Sequence, residues 1–134
     1  MSRDLKDLTP AMQLKVGVLA QLTDEAGIDL LIYCTRRTMD EQAALYAIGR
    51  DRPGRIVTRA KPGQSAHNYG LAIDAVPMLH GKPQWASTSP LWKQYGDLCA
   101  KAGMEWAGKW TTFKEYPHAQ MPGFDWRAEM EKGA

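Results

Sequence analysis

The chain has 134 residues, 44% of them apolar, which is enough for one domain with its own core and too few for a second. Its 17 basic and 15 acidic side chains leave a formal charge of +2, far from the dense basic surface of a nucleic-acid-binding protein. Residues 1–7 carry charges where a secretory signal has an apolar core, and no stretch approaches the roughly 20 apolar residues of a membrane span. We expect a monomeric domain over residues 1–134, made in the cytoplasm, without nucleic acid or stable membrane association.

The two cysteines, Cys34 and Cys99, lie in apolar runs far apart in the sequence. This placement favours buried, reduced thiols over a disulfide framework. Neither cysteine begins a predicted helix or has a histidine nearby in the sequence, which disfavours a catalytic thiol.

The first half of the chain predicts a helix, a strand and a second helix. Thr9-Pro10 begins a helix that runs to Gly27, with Met12, Val16 and Leu19 along one face. The apolar run of residues 28–35 predicts a buried strand that ends at Arg36-Arg37. Thr38 and Glu41 form a capping box, so a second helix should run from Met39 to about Gly49 and place Arg37 at an element boundary.

The second half predicts a loop, a hairpin and a third helix. Residues 50–66 contain two Pro-Gly pairs and form a long loop with a short extended piece at Ile56-Val57. Residues 71–78 form a strand that turns at His80-Gly81 and returns through Gln84-Trp85. Ser89-Pro90 begins a helix that ends at Gly103, with Leu91, Tyr95, Leu98 and Ala102 on one face. The rest is aromatic and irregular, so the fold class is α+β with a small, mainly antiparallel sheet flanked by helices.

The segment SAHNYGLAID, residues 65–74, places a histidine at a glycine-containing turn and an aspartate inside an apolar strand. Burial of the Asp74 carboxylate requires a partner, and a metal ion held together with the imidazole of His67 is one such partner. Seven is an odd offset, so the chain must bend at Asn68-Tyr69-Gly70 for both side chains to share a site. A core histidine and an aspartate paired with an arginine would explain the same pattern.

The segment FKEYPHAQ, residues 113–120, places Glu115 three residues before His118. A catalytic zinc site keeps three protein ligands and one position for water, and a nearby carboxylate can take the proton of that water. From this segment alone, a surface glutamate and a loop histidine in a turn at Pro117 would be the preferred explanation. His80 lies in a predicted turn and receives no role.

Together these segments resemble the zinc peptidases of the VanY and D-alanyl-D-alanine carboxypeptidase group, whose fold is shared with hedgehog-like domains, and in particular the short L-alanyl-D-glutamate peptidases used as bacteriophage endolysins. The resemblance runs from Leu30 to Trp126 through RRTMDEQAALYAIGR, PGQSAHNYGLAID, EWAGKW and EYPHAQMPGF. It implies that His67, Asp74 and His118 bind Zn²⁺ and that Glu115 is the general base, although the short endolysins more often carry aspartate there.

The resemblance also assigns residues around the metal. It makes Arg37, rather than Arg36, the residue that neutralises a substrate carboxylate or the developing oxyanion, unless Arg37 only pairs with a neighbouring carboxylate. Gln42, Ser65 and Tyr69 are expected to line the substrate pocket, or else to serve as loop and cap residues. Ala119 departs from the family, since relatives often place an aromatic residue there. The segment EWAGKW resembles the family's E-W-G-G-x-W segment, and its tryptophans, Trp106 and Trp110, are expected to belong to the core.

The implied function is hydrolysis of the L-alanyl-D-glutamate bond of peptidoglycan stem peptides, leading to lysis of the bacterial cell wall. The alternatives are a D-alanyl-D-alanine carboxypeptidase or dipeptidase and a non-catalytic binding domain that retains zinc. No separate wall-binding module is expected, so the enzyme would act from the host bacterial cytoplasm after release across the membrane.

Overall fold

The computed structural model describes residues 1–133, which form helices packed on a small antiparallel sheet, as the α+β prediction requires. The helices and strands lie in the following order: α1 (Pro10–Glu25), β1 (Asp29–Cys34), α2 (Met39–Ala47), β2 (Ala72–Leu79), β3 (Lys82–Pro83), α3 (Leu91–Lys101), β4 (Glu105–Trp106), β5 (His118–Gln120) and α4 (Trp126–Lys132). Short 3₁₀ turns occur at Leu5–Asp7, Ala66–Tyr69 and Ala107–Lys109. No helix among the described residues has the length and apolarity that a membrane crossing needs.

Strand β2 organises the sheet. The strand order is β1-β2-β5-β4, and β3 pairs with the far end of β2. All of these pairings are antiparallel. Because side chains alternate along a strand, Ile73 and Ala75 enter the core while Asp74 points to the other face.

The core lies between the sheet and helices α1 and α3. Met12, Val16 and Leu19 of α1 are buried as predicted. The predicted face of α3 is only partly correct, because Trp92, Tyr95 and Cys99 are fully buried whereas Leu91 and Leu98 are half-buried. The sequence of α3 contains two overlapping sets of apolar residues at helical spacing, and the set that includes the bulky ring of Trp92 is the one that packs in the core.

Several predicted strands differ from the structure. Strand β1 lies at the sheet edge and is not buried throughout, since Leu31 is 40% exposed; an apolar run does not distinguish an edge strand from a central one. Ile56-Val57 forms no strand, and the hairpin returns through Lys82–Pro83 rather than Gln84-Trp85. The segment after Gly103, predicted to be irregular, contains β4, β5 and α4.

The predicted bend between His67 and Asp74 is confirmed. Residues Ala66–Tyr69 form a 3₁₀ turn that ends at Gly70 in the left-handed region, with φ of +70°. A Cβ atom at Gly70 would also lie 2.8 Å from the carbonyl oxygen of Asp7. Glycine is therefore required at this position for both conformation and space.

Candidate active site

Three side chains meet at the open face of the sheet. Asp74 of β2 and His118 of β5 are directly opposite each other in the antiparallel register, and Asp74 Oδ1 lies 3.2 Å from His118 Nδ1. The turn before β2 brings His67 to the same point, with Nε2 3.1 Å from Asp74 Oδ1 and 3.2 Å from His118 Nδ1. The structure thus brings together the three residues predicted to bind a metal.

The backbone just after β1 sets the tautomer of His67. The Nδ1 atom of this buried ring lies 2.8 Å from the carbonyl oxygen of Thr35, which can only accept a hydrogen bond, so Nδ1 carries the proton and donates it. The lone pair is then on Nε2, the atom that faces Asp74 and His118. A histidine that ligates a metal through one nitrogen commonly uses the other in this way.

A side-chain relay orients His118. Its Nε2 atom donates to Gln120 Oε1 at 2.8 Å, and the Gln120 amide nitrogen donates to Glu105 at 3.4 Å, which fixes which end of the amide faces the ring. When the ring of His118 is neutral, its lone pair is therefore on Nδ1, toward Asp74. Sequence reasoning missed Gln120, although a residue two positions along a strand from His118 shares its face.

The electrostatics of this cluster favour a cation. Burial raises the pKa of Asp74, but the adjacent His67 and His118 outweigh burial and hold that pKa well below its ordinary value. Burial also lowers the pKa of His67, which keeps its ring neutral. Two imidazole lone pairs and a carboxylate oxygen therefore converge at 3.1–3.2 Å, close to the roughly 3.3 Å expected between ligands 2.0–2.1 Å from a tetrahedral Zn²⁺. This donor set fits zinc.

Cys34 is an alternative to His118 as the third metal ligand. Its Sγ atom, with ligand atoms of His67 and Asp74, belongs to a group whose members all lie within 4.8 Å of one another. However, Sγ lies 3.7 Å from His67 Nδ1, the nitrogen already used by Thr35, and burial raises the pKa of the thiol. His118 completes the ligand set better than Cys34.

Glu115 lies beside the three candidate ligand atoms but is not one of them. Its Oε2 atom lies 3.9 Å from His118 Nδ1, and its side chain is 30% exposed toward the cleft. Burial raises the pKa of Glu115 above its ordinary value, in part offset by His118. A carboxylate with such a pKa next to a metal site can accept a proton from water and return it.

Arg37 lies on the other side of Asp74. Its Nη1 donates to Gln42 Oε1 at 2.8 Å, and its Nη2 lies 3.6 Å from Asp74 Oδ2. Arg36, by contrast, is exposed. The sequence alone did not decide whether Arg37 only pairs with a neighbouring carboxylate. The structure contains the pair of Arg37 with Asp74, and Arg37 also lines the cleft.

A cleft of about 960 Å³ opens above these residues. Ser65 lines it, as predicted for a pocket residue, and also caps the turn by accepting from the His67 amide. Gln42 and Tyr69 differ from the prediction: Gln42 is 0% exposed and lies behind Arg37, and Tyr69 donates to the Gly63 carbonyl outside the cleft lining. Both residues support the site and do not line it.

Two tryptophans of EWAGKW have different positions. Trp106 is in the core, as predicted, and donates to the Tyr116 carbonyl at 2.7 Å. Trp110 lies in the cleft, with its ring centroid 5.5 Å from that of His118 and its Nε1 donating to Glu105. The core prediction is therefore wrong for Trp110, because a tryptophan pattern alone does not tell a core ring from a cleft wall.

Comparison with known proteins identifies the class. Residues 58–121 match the profile of the peptidase M15 family described as D-alanyl-D-alanine carboxypeptidase. The chain is 37% identical to the peptidoglycan L-alanyl-D-glutamate endopeptidase CwlK of Bacillus subtilis, over 86% of this chain and 74% of that protein. It is also 35% identical to the L-alanyl-D-glutamate peptidase of Listeria phage A118, over 76% of this chain and 34% of the phage protein. The chain belongs to the M15 peptidase family.

Solved structures share the fold. The L-Ala D-Glu endopeptidase ChiX of Serratia marcescens superposes with a TM-score of 0.67 at 21% identity, over 93% of this chain and 86% of that one. The vancomycin resistance D,D-pentapeptidase VanY, crystallised with Zn(II), superposes with a TM-score of 0.60 at 17% identity, over 87% of this chain and 73% of that one. The predicted D-Ala-D-Ala metallopeptidase-like fold is confirmed.

Proposed function

We propose that this chain is a zinc-dependent endopeptidase that hydrolyses the L-alanyl-D-glutamate bond of peptidoglycan stem peptides. The observation that carries the proposal is the convergence of three acceptor atoms of His67, Asp74 and His118 beside the carboxylate of Glu115. The bond preference is supported by the names of the two sequence relatives.

In this proposal, His67 Nε2, Asp74 and His118 Nδ1 hold the zinc ion. When bound, zinc polarises the scissile carbonyl and lowers the pKa of a water molecule to about 7. Glu115 accepts the proton of the attacking water on its carboxylate and later returns it to the leaving amine. Arg37 stabilises the negative charge that grows on the carbonyl oxygen, and Gln42 holds the guanidinium in position from behind.

The decisive experiment is mass spectrometry of digested peptidoglycan, combined with the variant Glu115→Gln. The wild-type protein should leave new amino-terminal D-glutamate on the released stem peptides. Glu115→Gln should bind zinc as the wild type does yet release no peptide, because an amide cannot accept the proton. An active variant with that change would remove Glu115 from the base role.

One alternative is favoured by the profile description, namely a D-alanyl-D-alanine carboxypeptidase. Release of single D-alanine, without new D-glutamate ends, would establish that activity instead. A non-catalytic zinc-containing domain would give neither product. The presence of Glu115 disfavours a non-catalytic domain, since a structural zinc site requires no carboxylate next to its ligands.

We further propose that the enzyme acts as an endolysin. It would be made as a monomer in the host bacterial cytoplasm and reach the cell wall after release across the membrane, without stable membrane association. The relationship to the phage A118 peptidase supports this proposal. Lysis of cells only after membrane permeabilisation, abolished by a chelator and restored by Zn²⁺, is the expected result.

A further inference from the structure

Arg59 is placed at the cleft by a loop whose backbone is held on both sides. The Thr58 carbonyl accepts from Arg50 Nη2 at 3.2 Å, and the Ala60 carbonyl accepts from Gln42 Nε2 at 2.8 Å. The Ala60 amide donates to Thr58 Oγ1 at 3.1 Å. The loop thus has a defined position without secondary structure, and Arg59 enters the cleft lining from it.

The guanidinium of Arg59 packs against an aromatic ring. Its Cζ atom lies 5.0 Å from the ring centroid of Phe113, an arrangement in which the guanidinium is attracted to the aromatic ring. Phe113 has a φ of +46°, an unfavourable conformation for an aromatic residue that the surrounding structure must maintain. This strained residue lies two positions before Glu115, and both residues line the cleft.

The hydrogen-bonding edge of Arg59 is unused. Within residues 1–133, Arg59 donates no hydrogen bond and forms no ion pair. Arg50 is a useful contrast, because it stacks on Tyr46 in the same way but donates to the carbonyl oxygens of Tyr46 and Thr58. Arg50 therefore stabilises the loop, whereas Arg59 is exposed and lines the cleft with its hydrogen-bond donors free.

A guanidinium of this kind recognises a carboxylate through paired hydrogen bonds. The proposed substrate has one at the appropriate place: D-glutamate continues the stem peptide through its γ-carboxyl group, so its α-carboxyl group is free on the carbon next to the scissile nitrogen. Glu115 returns a proton to that nitrogen, and Phe113 lies on the same loop as Glu115. The contact with Phe113 therefore brings Arg59 to the loop that carries Glu115, on the same cleft.

Arg37 does not serve this carboxylate as well as Arg59. One of its terminal nitrogens is bonded to Gln42 and the other faces Asp74. We propose that Arg59 is the specificity-determining residue that binds the α-carboxylate of the residue leaving with the scissile nitrogen and selects it over the corresponding carboxamide. This inference rests on the proposed endopeptidase function.

The test uses two synthetic stem peptides that differ only in a free or an amidated α-carboxyl group on D-glutamate. The wild type should cut the carboxylate peptide with a kcat/KM about tenfold higher, as expected for a charge-assisted bidentate contact at an exposed site. Arg59→Gln should lose this preference by slowing cleavage of the carboxylate peptide and leaving the amide rate within twofold. The matched control is Arg55→Gln, on the same loop, exposed and outside the cleft lining, which should keep the preference.

Equal loss on both peptides in Arg59→Gln would overturn the proposal, since it would mean that Arg59 only maintains the loop. Binding of the two peptides to zinc-loaded Glu115→Gln protein, with and without Arg59→Gln, separates this result from failure of the proposed function. If the wild type cuts neither peptide at the alanyl-glutamyl bond, the endopeptidase assignment fails. The binding affinities measured by calorimetry on the Glu115→Gln protein then test Arg59 separately. Tighter binding of the carboxylate peptide that is lost with Arg59→Gln supports the proposal, and equal binding of the two peptides rejects it.

Discussion

The Nε2 atom of His118 lies 2.8 Å from Oε1 of Gln120, two residues further along the same strand. This hydrogen bond directs the Nδ1 lone pair of His118 toward Asp74. Gln120→Leu removes the acceptor without adding volume to the cleft, so the ring loses its preferred tautomer and orientation. We expect zinc affinity to fall about 10–100-fold, measured by competition with a chromophoric chelator.

The control for this change is Gln94→Leu, a substitution on the exposed side of α3. It should leave zinc affinity unchanged. Wild-type affinity in Gln120→Leu would show that the β5 backbone alone orients His118.

Zinc affinity should depend on pH through His118. Burial lowers the pKa of this ring, but the hydrogen bond and charge of Asp74 outweigh burial, so the pKa lies above its ordinary value. Zinc requires a deprotonated Nδ1. As the pH falls through the raised pKa, a proton competes for that atom, and affinity should fall by about tenfold per pH unit for each proton displaced.

Calorimetry in two buffers of different ionisation enthalpy counts the displaced protons. Near pH 8 zinc binding should release few protons from His118, and near pH 5 about one. His80→Gln, at an exposed turn histidine, should leave the profile unchanged. Affinity that is constant between these pH values would contradict the assignment of His118 as a ligand.

Two glycine-to-alanine changes in helices should have opposite effects on stability. Gly96 of α3 faces Trp106, and a Cβ atom there would overlap the indole ring. Overpacking should therefore outweigh the better helix propensity of alanine and destabilise the protein by about 1–3 kcal/mol. Gly17 of α1 is exposed with open space around it, so Gly17→Ala should stabilise by about 0.5–1 kcal/mol. Urea unfolding followed by tryptophan fluorescence measures both, and equal stability of Gly96→Ala and wild type would mean that Trp106 repacks at little cost.

Arg37→Lys tests the oxyanion role of Arg37. Lysine keeps the charge but loses the planar fork that holds Gln42 and faces Asp74. We expect kcat to fall about 10²–10³-fold, with a smaller change in KM and unchanged zinc content. Arg36→Lys, at the exposed neighbouring position, is the matched control and should retain full activity. A normal kcat in Arg37→Lys would limit Arg37 to pairing with Asp74.

Much of the fold was predictable because its signals are local. The Thr38–Glu41 capping box is present with both of its hydrogen bonds, and Thr9 caps α1 with Pro10 at its first turn. Such features depend on residues three or four positions apart, so the sequence alone determines them. The burial of β1 and the cleft position of Trp110 were not predictable, because both depend on which distant element packs beside them.

The chemical identity of the candidate ligands was likewise present in the sequence, in the two short segments that contain His67, Asp74 and His118. Only the tertiary structure decided their convergence: the antiparallel register places Asp74 opposite His118, and a shift of one residue would turn either side chain to the other face of the sheet. The hydrogen-bond partners that select the ring tautomers, the Thr35 carbonyl and Gln120, also depend on the folded backbone. Register and orientation arise from contacts between strands far apart in the chain, and no local pattern encodes them.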